Sequence, residues 1–288
     1  MKKHKLNFLA SAVIVSVMAG AAASAPSTAS AAALLGEELA SFSTLAGGYA
    51  TYGAGAVVSG QIGAVTYVVG GAGSSSGGDS VNTVAVATAL SQIATAQAAL
   101  NAMQTDTTLL PTLSGNVTWS PGVYGATALT TAAGSILTLD GGGAESPIWV
   151  FNIPTYLVTG ASTEIKIINA GAGASVLWNT GGYTTMGANT NFLGTILSGT
   201  YISQGAGSTM ACGNTFALSY ISIPAGSKMT SSNCEGSGSW AGSVNGLGLG
   251  LDIVNGVATA SVSAIPEPGT YALLLAGLGV LGFRVWRQ

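Results

Sequence analysis

The sequence predicts a mainly β protein built as a β-solenoid, in which the chain winds through a stack of similar coils. A phrase beginning with tyrosine recurs four times, at Tyr156, Tyr183, Tyr201 and Tyr220, with intervals of 27, 18 and 19 residues. This repeat length is typical of a solenoid, because a single unit cannot bury its apolar face alone. Each unit holds short β-branched runs between Gly-Ala or Gly-Ser corners, which indicates coils of strands rather than helix pairs.

Alternation within the phrase predicts which side chains point inward, because successive residues of a strand face opposite sides. The second and fourth places are the more apolar set, and we expect them to face the core: Leu157, Thr159, Thr184, Met186, Ile202, Gln204, Ile221 and Ile223. The first and third places then face outward. This arrangement stacks the four tyrosines beside a second column made of Val158, Thr185, Ser203 and Ser222.

Residues 1–33 are predicted to be a secretory signal peptide. Lys2, Lys3 and Lys5 precede an apolar run from Leu6 to about Ala23, and small residues with Ala-x-Ala sites follow up to Ala33. That order is typical of export signals. A membrane anchor is the alternative, and the short apolar run with its alanine-rich exit argues against it.

The charge pattern excludes several classes of function. Between residues 34 and 265 there are 9 acids against 2 bases, Lys166 and Lys228, which gives a formal charge of −7. Without a basic patch, nucleic acid is not an expected partner. The only histidine, His4, lies in the signal peptide, so histidine-dependent nucleophilic catalysis and histidine metal sites lack their key residue. We therefore expect no catalytic residues, metal or cofactor. A glycosidase or lyase using two carboxylates is the remaining enzymatic alternative, and the acids are scattered.

The first coils of the solenoid are predicted between Leu35 and Tyr67, and Gly70 to Asp79 is interpreted as a Gly/Ser loop. From Ser80 to about Asp106 the chain has no glycine or proline. Apolar and amide residues recur there at spacings of 3 and 4, at Val86, Leu90, Ile93, Gln97, Leu100 and Gln104. This pattern predicts a helix over about 80–106, capped by Asp79 or Ser80 and lying along the solenoid. A partner-binding helix is the alternative.

The β pattern returns at Leu113, so we assign 34–235 to one solenoid domain and 236–264 to a Gly/Ser-rich last strand or linker. Cys212 and Cys234, the only cysteines, lie 22 residues apart. That is about one coil, and in an exported chain an isolated pair predicts a disulfide. Two free buried thiols are the alternative.

Residues 265–288 form a separate C-terminal segment. Pro266, Glu267 and Pro268 precede an apolar run from Tyr271 to Phe283 and a basic end. This order resembles the PEP-CTERM sorting tail of Gram-negative bacteria. The resemblance implies recognition of the Pro-Glu-Pro motif by an exosortase, transient membrane contact, removal of the tail and delivery to the cell surface or extracellular matrix. A simple C-terminal membrane anchor is the alternative.

Several longer phrases resemble a known family. They are Gly115–Tyr124, Leu137–Asp140, Ile148–Ile153, Val176–Asn179 and Asn191–Leu197. Through them, residues 40 to 234 resemble the ice-binding-like β-solenoid family of secreted microbial antifreeze proteins. The resemblance implies a right-handed discontinuous β-helix of triangular section, with one long α-helix packed alongside. We expect a monomer.

The resemblance also implies adsorption to ice through one flat face of the solenoid. Some family members carry a Thr-Ala/Gly-x-Thr/Asn phrase there. Thr127-Ala-Leu-Thr130 matches it, and Thr159-Gly-Ala-Ser162 matches with serine in the last place. A stacked sheet also presents its outward hydroxyls and methyls as a rigid lattice. The candidate ice-binding residues are Thr127, Thr130, Thr159, Thr163, Thr185, Thr190, Ser203, Thr209 and Ser222, with Thr130 and Thr185 assigned to two different faces.

The predicted function is therefore that of a secreted ice-binding protein whose partner is the ice crystal surface. The alternative is a non-catalytic surface or matrix protein that binds extracellular polysaccharide on the same scaffold. In that case the tyrosine column would bind sugar rings, or it would pack against the long helix.

Overall fold

The computed structural model describes residues 34–171, 173–230, 251–254 and 257–260. In this part of the chain, successive coils stack into a solenoid whose sides are three sheets of parallel strands, which confirms the predicted mainly β fold. Its right-handed winding and triangular section stay predictions. Strands Leu251–Val254 and Val257–Ala260 form a separate antiparallel pair. The predicted signal peptide and sorting tail lie outside the described residues.

Coils contribute strands to the three sheets in turn, and each sheet is named here for what covers or marks it. The helix sheet contains, in spatial order, Asp79–Val81, Gln61–Ala64, Phe42–Ala46, Thr215–Ala217, Thr195–Ser198, Ser175–Thr180, Ile148–Ile153, Gly122–Gly125 and Thr107–Thr108. The tyrosine sheet contains Tyr67–Gly70, Tyr49–Tyr52, Ile221–Ile223, Ile202–Ser203, Tyr183–Thr185, Tyr156–Val158, Leu129–Thr131 and Thr112–Leu113. The lysine sheet contains Asn116–Trp119, Ile136–Ala144, Glu164–Ala170, Asn191–Leu193, Thr209–Ala211, Lys228–Thr230, Val57–Ser59 and Ser74–Ser75.

The coils do not stack in sequence order. Phe42–Ala46 pairs on one side with Thr215–Ala217 and on the other with Gln61–Ala64, so the first coils of the chain extend the stack beyond the last ones. The predicted loop from Gly70 to Asp79 is interrupted by a two-residue strand, because Ser74–Ser75 pairs with Val57–Ser59 in the lysine sheet. Its serines and glycines form an end coil, which has a neighbouring coil on one side only and needs fewer apolar residues.

The long helix spans Val84–Asn101 and is shorter than the predicted 80–106. It is capped by Thr83, whose Oγ1 accepts a hydrogen bond from the Val86 N–H at 3.2 Å. Asp79 and Ser80, the expected caps, lie in a strand of the helix sheet instead. A short helix, Glu37–Ala40, precedes the first strand.

The long helix packs on the outer face of the helix sheet, as predicted. Its buried residues are Val86, Ala89, Ile93, Ala96, Gln97 and Leu100. They pack in one cluster with apolar residues of the sheet, namely Leu45, Phe216, Leu197, Leu177, Val150 and Val123. The two predicted stripe residues Leu90 and Gln104 are half-buried and exposed, respectively. The alanines at 89 and 96 leave room for the helix backbone to approach the sheet closely.

A chain of amides fixes the position of the helix along the sheet. The Asn179 Nδ2 donates to Asn101 Oδ1 at 2.8 Å and to Asn152 Oδ1 at 2.9 Å. The Gln97 Nε2 donates to Asn179 Oδ1 at 3.2 Å, and the Asn152 Nδ2 donates to the Leu100 carbonyl at 2.7 Å. Because buried amides need all their partners, a shift of the helix would cost several hydrogen bonds at once.

Candidate functional site

The outer face of the tyrosine sheet carries an unbroken column of stacked phenol rings. The four tyrosines predicted to stack are joined by Tyr49 and Tyr67, which the N-terminal coils add beyond Tyr220. Neighbouring ring centroids lie 4.8–5.4 Å apart, and ring planes differ by only 4–15°. Each such pair contributes roughly 0.5–1.5 kcal/mol beyond simple burial, so the column stabilises its own regular spacing.

The predicted orientation of the repeated phrase is confirmed. All eight residues of the inward set are buried, including the polar Thr159, Thr184 and Gln204. The tyrosines and the residues two places after them face outward. Register pairing then fixes which outward side chains are neighbours from one coil to the next.

A second outward column runs parallel to the tyrosines and consists mainly of hydroxyl residues. Thr185 pairs with Ser203, and Ser203 pairs with Ser222. The column continues to Thr51 on one side, and on the other side it reaches Thr130 and Thr112 through Val158. Its complete order is Val69, Thr51, Ser222, Ser203, Thr185, Val158, Thr130 and Thr112. Thr51 and Thr112 were missed from the sequence, because only the non-local pairing of coils reveals them.

Thr130 and Thr185 therefore lie on the same face, and their assignment to two different faces is wrong. The reason is that the phrase Thr127-Ala-Leu-Thr130 enters the tyrosine sheet in the same phase as the tyrosine phrases, with Leu129 buried beside Leu157. Thr127 is exposed at the corner that precedes the strand.

Three other candidates lie in the interior and not on a surface. Thr159, Thr163 and Thr190 are each at most 3% exposed. Their hydroxyls hold the corner between the tyrosine and lysine sheets: Thr163 Oγ1 donates to the Gly160 carbonyl at 2.8 Å, and Thr159 Oγ1 accepts from the Gly187 N–H at 3.0 Å. We correct their predicted role, because a buried hydroxyl that satisfies a corner backbone group cannot contact ice.

The charges of the strands concentrate on another side of the molecule. Thr209, the remaining candidate, lies half-buried on the lysine sheet, where its Oγ1 donates to Asn191 Oδ1 at 2.9 Å. The same sheet contains Glu164, Lys166 and Lys228. By contrast, none of the eight strands of the tyrosine sheet contains a charged residue. The tyrosine sheet is thus the neutral and most regular surface among the three sheets.

The stacking also limits what the tyrosines can bind. Each inner ring has a neighbouring ring against both faces, so no sugar ring can stack on it. The long helix packs on a different sheet, so the alternative of tyrosines packing against that helix is wrong. The pKa of Tyr220 is raised above its usual value, mainly by burial and to a smaller extent by the neighbouring phenols of Tyr201 and Tyr49. The Tyr220 phenol is therefore uncharged at neutral pH.

The structure describes only one of the two cysteines of the predicted disulfide. Cys212 is buried, and there is no free cysteine among the described residues. Its predicted partner, Cys234, lies outside the described residues, and the pairing stays a prediction. Among residues 34–171 and 173–230, no group of three or more metal-ligating side chains comes together. Neither helix in the described part of the chain is long and apolar enough to cross a membrane.

Comparison with protein families finds two matches. The model of the ice-binding-like family matches residues 38–226, which is most of the solenoid. The model of the PEP-CTERM protein-sorting motif matches residues 264–288.

Comparison with individual proteins gives a consistent result. Ice-binding protein 1 of Shewanella frigidimarina is 34% identical over 113 residues, which are 39% of this chain and 13% of that protein. The ice-binding protein of a Nostoc species is 35% identical over 103 residues, which are 36% of this chain and 38% of that protein. The chain thus spans well under half the length of these curated relatives. The crystal structure of the ice-binding protein from the Antarctic ascomycete Antarctomyces psychrotrophicus superposes with a TM-score of 0.62 at 28% identity, covering 70% of this chain and 99% of that one.

Proposed function

Because this chain belongs to the ice-binding-like family, we propose that it is an exported, non-enzymatic antifreeze protein that adsorbs to ice through the outer face of the tyrosine sheet. One observation carries the choice of face. The tyrosine sheet is free of charge in all eight strands, and its second outward column carries a hydroxyl in six of them, with Val69 and Val158 in the other two. Charged groups hold their own hydration shell, whereas a neutral lattice of hydroxyls and methyls can order water in register with its rungs.

The candidate hydroxyl residues on this face are the outward Thr127, Thr130, Thr185, Ser203 and Ser222, with Thr51 and Thr112 added by the register. Adjacent strands of a sheet lie about 4.7–4.9 Å apart, and same-face residues along a strand lie roughly 6.6 Å apart. These two spacings define a two-dimensional grid. Parallel pairing over eight strands keeps the grid regular along the whole stack.

A matched pair of variants tests the choice of face. Thr185 and Thr209 are both half-buried, outward strand threonines, but they lie on the tyrosine and lysine sheets, respectively. Thr185→Tyr should abolish most of the inhibition of ice recrystallisation, because a bulky ring interrupts the grid. Thr209→Tyr should leave inhibition unchanged. Both variants should unfold within about 0.5 kcal/mol of the unmodified protein.

The measurement is the protein concentration that halves the growth of ice grains in an annealed frozen film. Equal loss in both variants would contradict the assignment to the tyrosine sheet. If the unmodified protein has no effect on ice growth at high concentration, the ice-binding proposal fails, and the polysaccharide-matrix function takes its place.

The sorting motif supports export to the extracellular space or cell surface of a Gram-negative bacterium. In this proposal an exosortase recognises Pro266, Glu267 and Pro268 and removes the residues that follow. The intact mass of the protein recovered from the cell surface or medium should therefore correspond to a chain that ends near this motif. A mass that includes Arg287 would contradict processing and would indicate a permanent anchor.

A further inference from the structure

The tyrosine column stands higher on the outer face of the tyrosine sheet than the hydroxyl column beside it. Side chains of a sheet stand roughly perpendicular to it, and a tyrosine is longer than a threonine or serine by a whole ring. The column from Tyr67 to Tyr156 is therefore a ridge. Beside it the hydroxyl column of Thr51, Ser222, Ser203 and Thr185 forms the floor of a trough.

On the side away from the tyrosines, the trough is bordered by a corner built from small residues. Exposed alanines follow one another from coil to coil at the turn between the tyrosine and lysine sheets; they are Ala54, Ala225, Ala206, Ala188 and Ala161. Hydrogen bonds link these corners, such as Asn189 N–H to the Ala206 carbonyl at 3.0 Å and Gly226 N–H to the Ala54 carbonyl at 3.1 Å. The alanine methyls are too short to reach the height of the phenol ridge.

The phenol oxygens along the ridge are free to meet an external partner. Within the described residues, none of the six stacked tyrosines forms a hydrogen bond through its phenol group to another residue. Tyr52 and Tyr124, which lie outside the column, do form such bonds, to Asp79 and to the Ser120 carbonyl. The absence is therefore particular to the ridge.

The ridge is also rigid. Inner rings such as Tyr183 and Tyr201 are stacked on both faces, with interplanar angles of 4° between Tyr183 and Tyr201 and between Tyr201 and Tyr220. Much of the side-chain entropy that binding would otherwise cost has thus been lost on folding. Six phenol groups at one rung spacing form a straight row about 25 Å long.

From this geometry we propose that the phenol ridge, and not the threonine and serine column, makes the outermost contact with ice. This inference rests on the proposed function of the tyrosine sheet. The phenol hydroxyls hydrogen-bond to water molecules of the crystal surface, one per rung. The hydroxyl column holds a file of ordered water in the trough between ridge and surface. On this basis, the Thr185→Tyr substitution reduces ice binding because the added ring fills the trough.

The test compares two double variants of the full exported protein. Tyr183→Phe with Tyr201→Phe removes two phenol hydroxyls but keeps the ring stack. Thr185→Val with Ser203→Ala removes two hydroxyls from the floor of the trough on the same two coils. Thermal unfolding and near-ultraviolet circular dichroism establish that each variant keeps the fold and the stacked rings.

We expect the phenylalanine variant to need a roughly tenfold higher concentration to halve ice recrystallisation, since each lost hydrogen bond weakens adsorption several-fold. The trough variant should change this concentration by less. Full activity in the phenylalanine variant would overturn the proposal, as would a larger loss in the trough variant. Both results leave ice binding itself intact. An inactive unmodified protein would overturn the proposed function, and this inference would fall with it.

Discussion

Replacing Trp178 by alanine is expected to lower the free energy of unfolding by about 3–5 kcal/mol. Trp178 is fully buried between the three sheets, and its ring stacks on Phe151 with centroids 3.9 Å apart and planes within 8°. Alanine would remove this contact and leave a large cavity, because the surrounding coils are tied to one another by ladder hydrogen bonds and cannot collapse. Urea denaturation followed by far-ultraviolet circular dichroism measures the loss.

Trp178→Phe separates packing from hydrogen bonding at this position. The indole Nε1 of Trp178 donates to the Leu193 carbonyl at 2.9 Å. Phenylalanine keeps most of the stacking but leaves that buried carbonyl without its donor, at a cost of about 1–3 kcal/mol. The phenylalanine variant should therefore lie between the unmodified protein and the alanine variant. A loss below 1 kcal/mol for the alanine variant would show that the coils relax to fill the cavity.

The sequence was most informative where a local pattern repeats. Alternation within the tyrosine phrase correctly predicted the burial of Gln204 and Thr184, although both are polar, because strand geometry leaves only two possible directions. The phase of Thr130 was not predictable in the same way. It depends on how Leu129–Thr131 pairs with Tyr156–Val158, and that register is set between coils and not within one.

Prediction failed where the coils turn. Thr163 and Thr190 were expected to face outward near the corners, but the residue before each of them, Ser162 and Asn189, adopts a left-handed backbone with φ of 57° and 56°. This turn rotates the next side chain into the core. A left-handed backbone is normally expected at glycine, and glycine does occupy the equivalent place in other coils, as at Gly207 and Gly226. The same conformation at a serine or an asparagine is therefore not obvious from the sequence.

The additional tyrosines illustrate a second limit. Tyr49 and Tyr67 belong to coils far from Tyr220 in sequence, yet they extend its column, because the first coils stack beyond the last ones. A search for repeats along the chain finds neighbours in sequence and cannot find this contact. The helix start at Thr83 was missed for a related reason, since pairing with Gln61–Ala64 draws Asp79 and Ser80 into the helix sheet.

Gly182→Ala is expected to destabilise the protein by about 3 kcal/mol and to reduce ice activity at the same time. Gly182 lies at the corner just before Tyr183, and a Cβ added there would overlap the backbone carbonyl oxygen of Thr155 in the adjacent coil. Because a backbone atom cannot rotate away, the two coils would have to move apart. The ring contact between Tyr156 and Tyr183, now 5.4 Å, would lengthen, and the even spacing of the ridge would be lost.

Gly226→Ala is the matched control, because it separates crowding between coils from backbone strain. A Cβ on Gly226 meets no atom within 4 Å, but its φ of 71° is unfavourable for alanine. We expect it to cost about 1–2 kcal/mol and to leave ice recrystallisation inhibition unchanged after correction for the folded fraction. Comparable stability loss in both variants, with ice activity reduced only in Gly182→Ala, would still support the link between coil spacing and adsorption. Full ice activity in a folded Gly182→Ala protein would contradict it, because adsorption would then not depend on an even ridge.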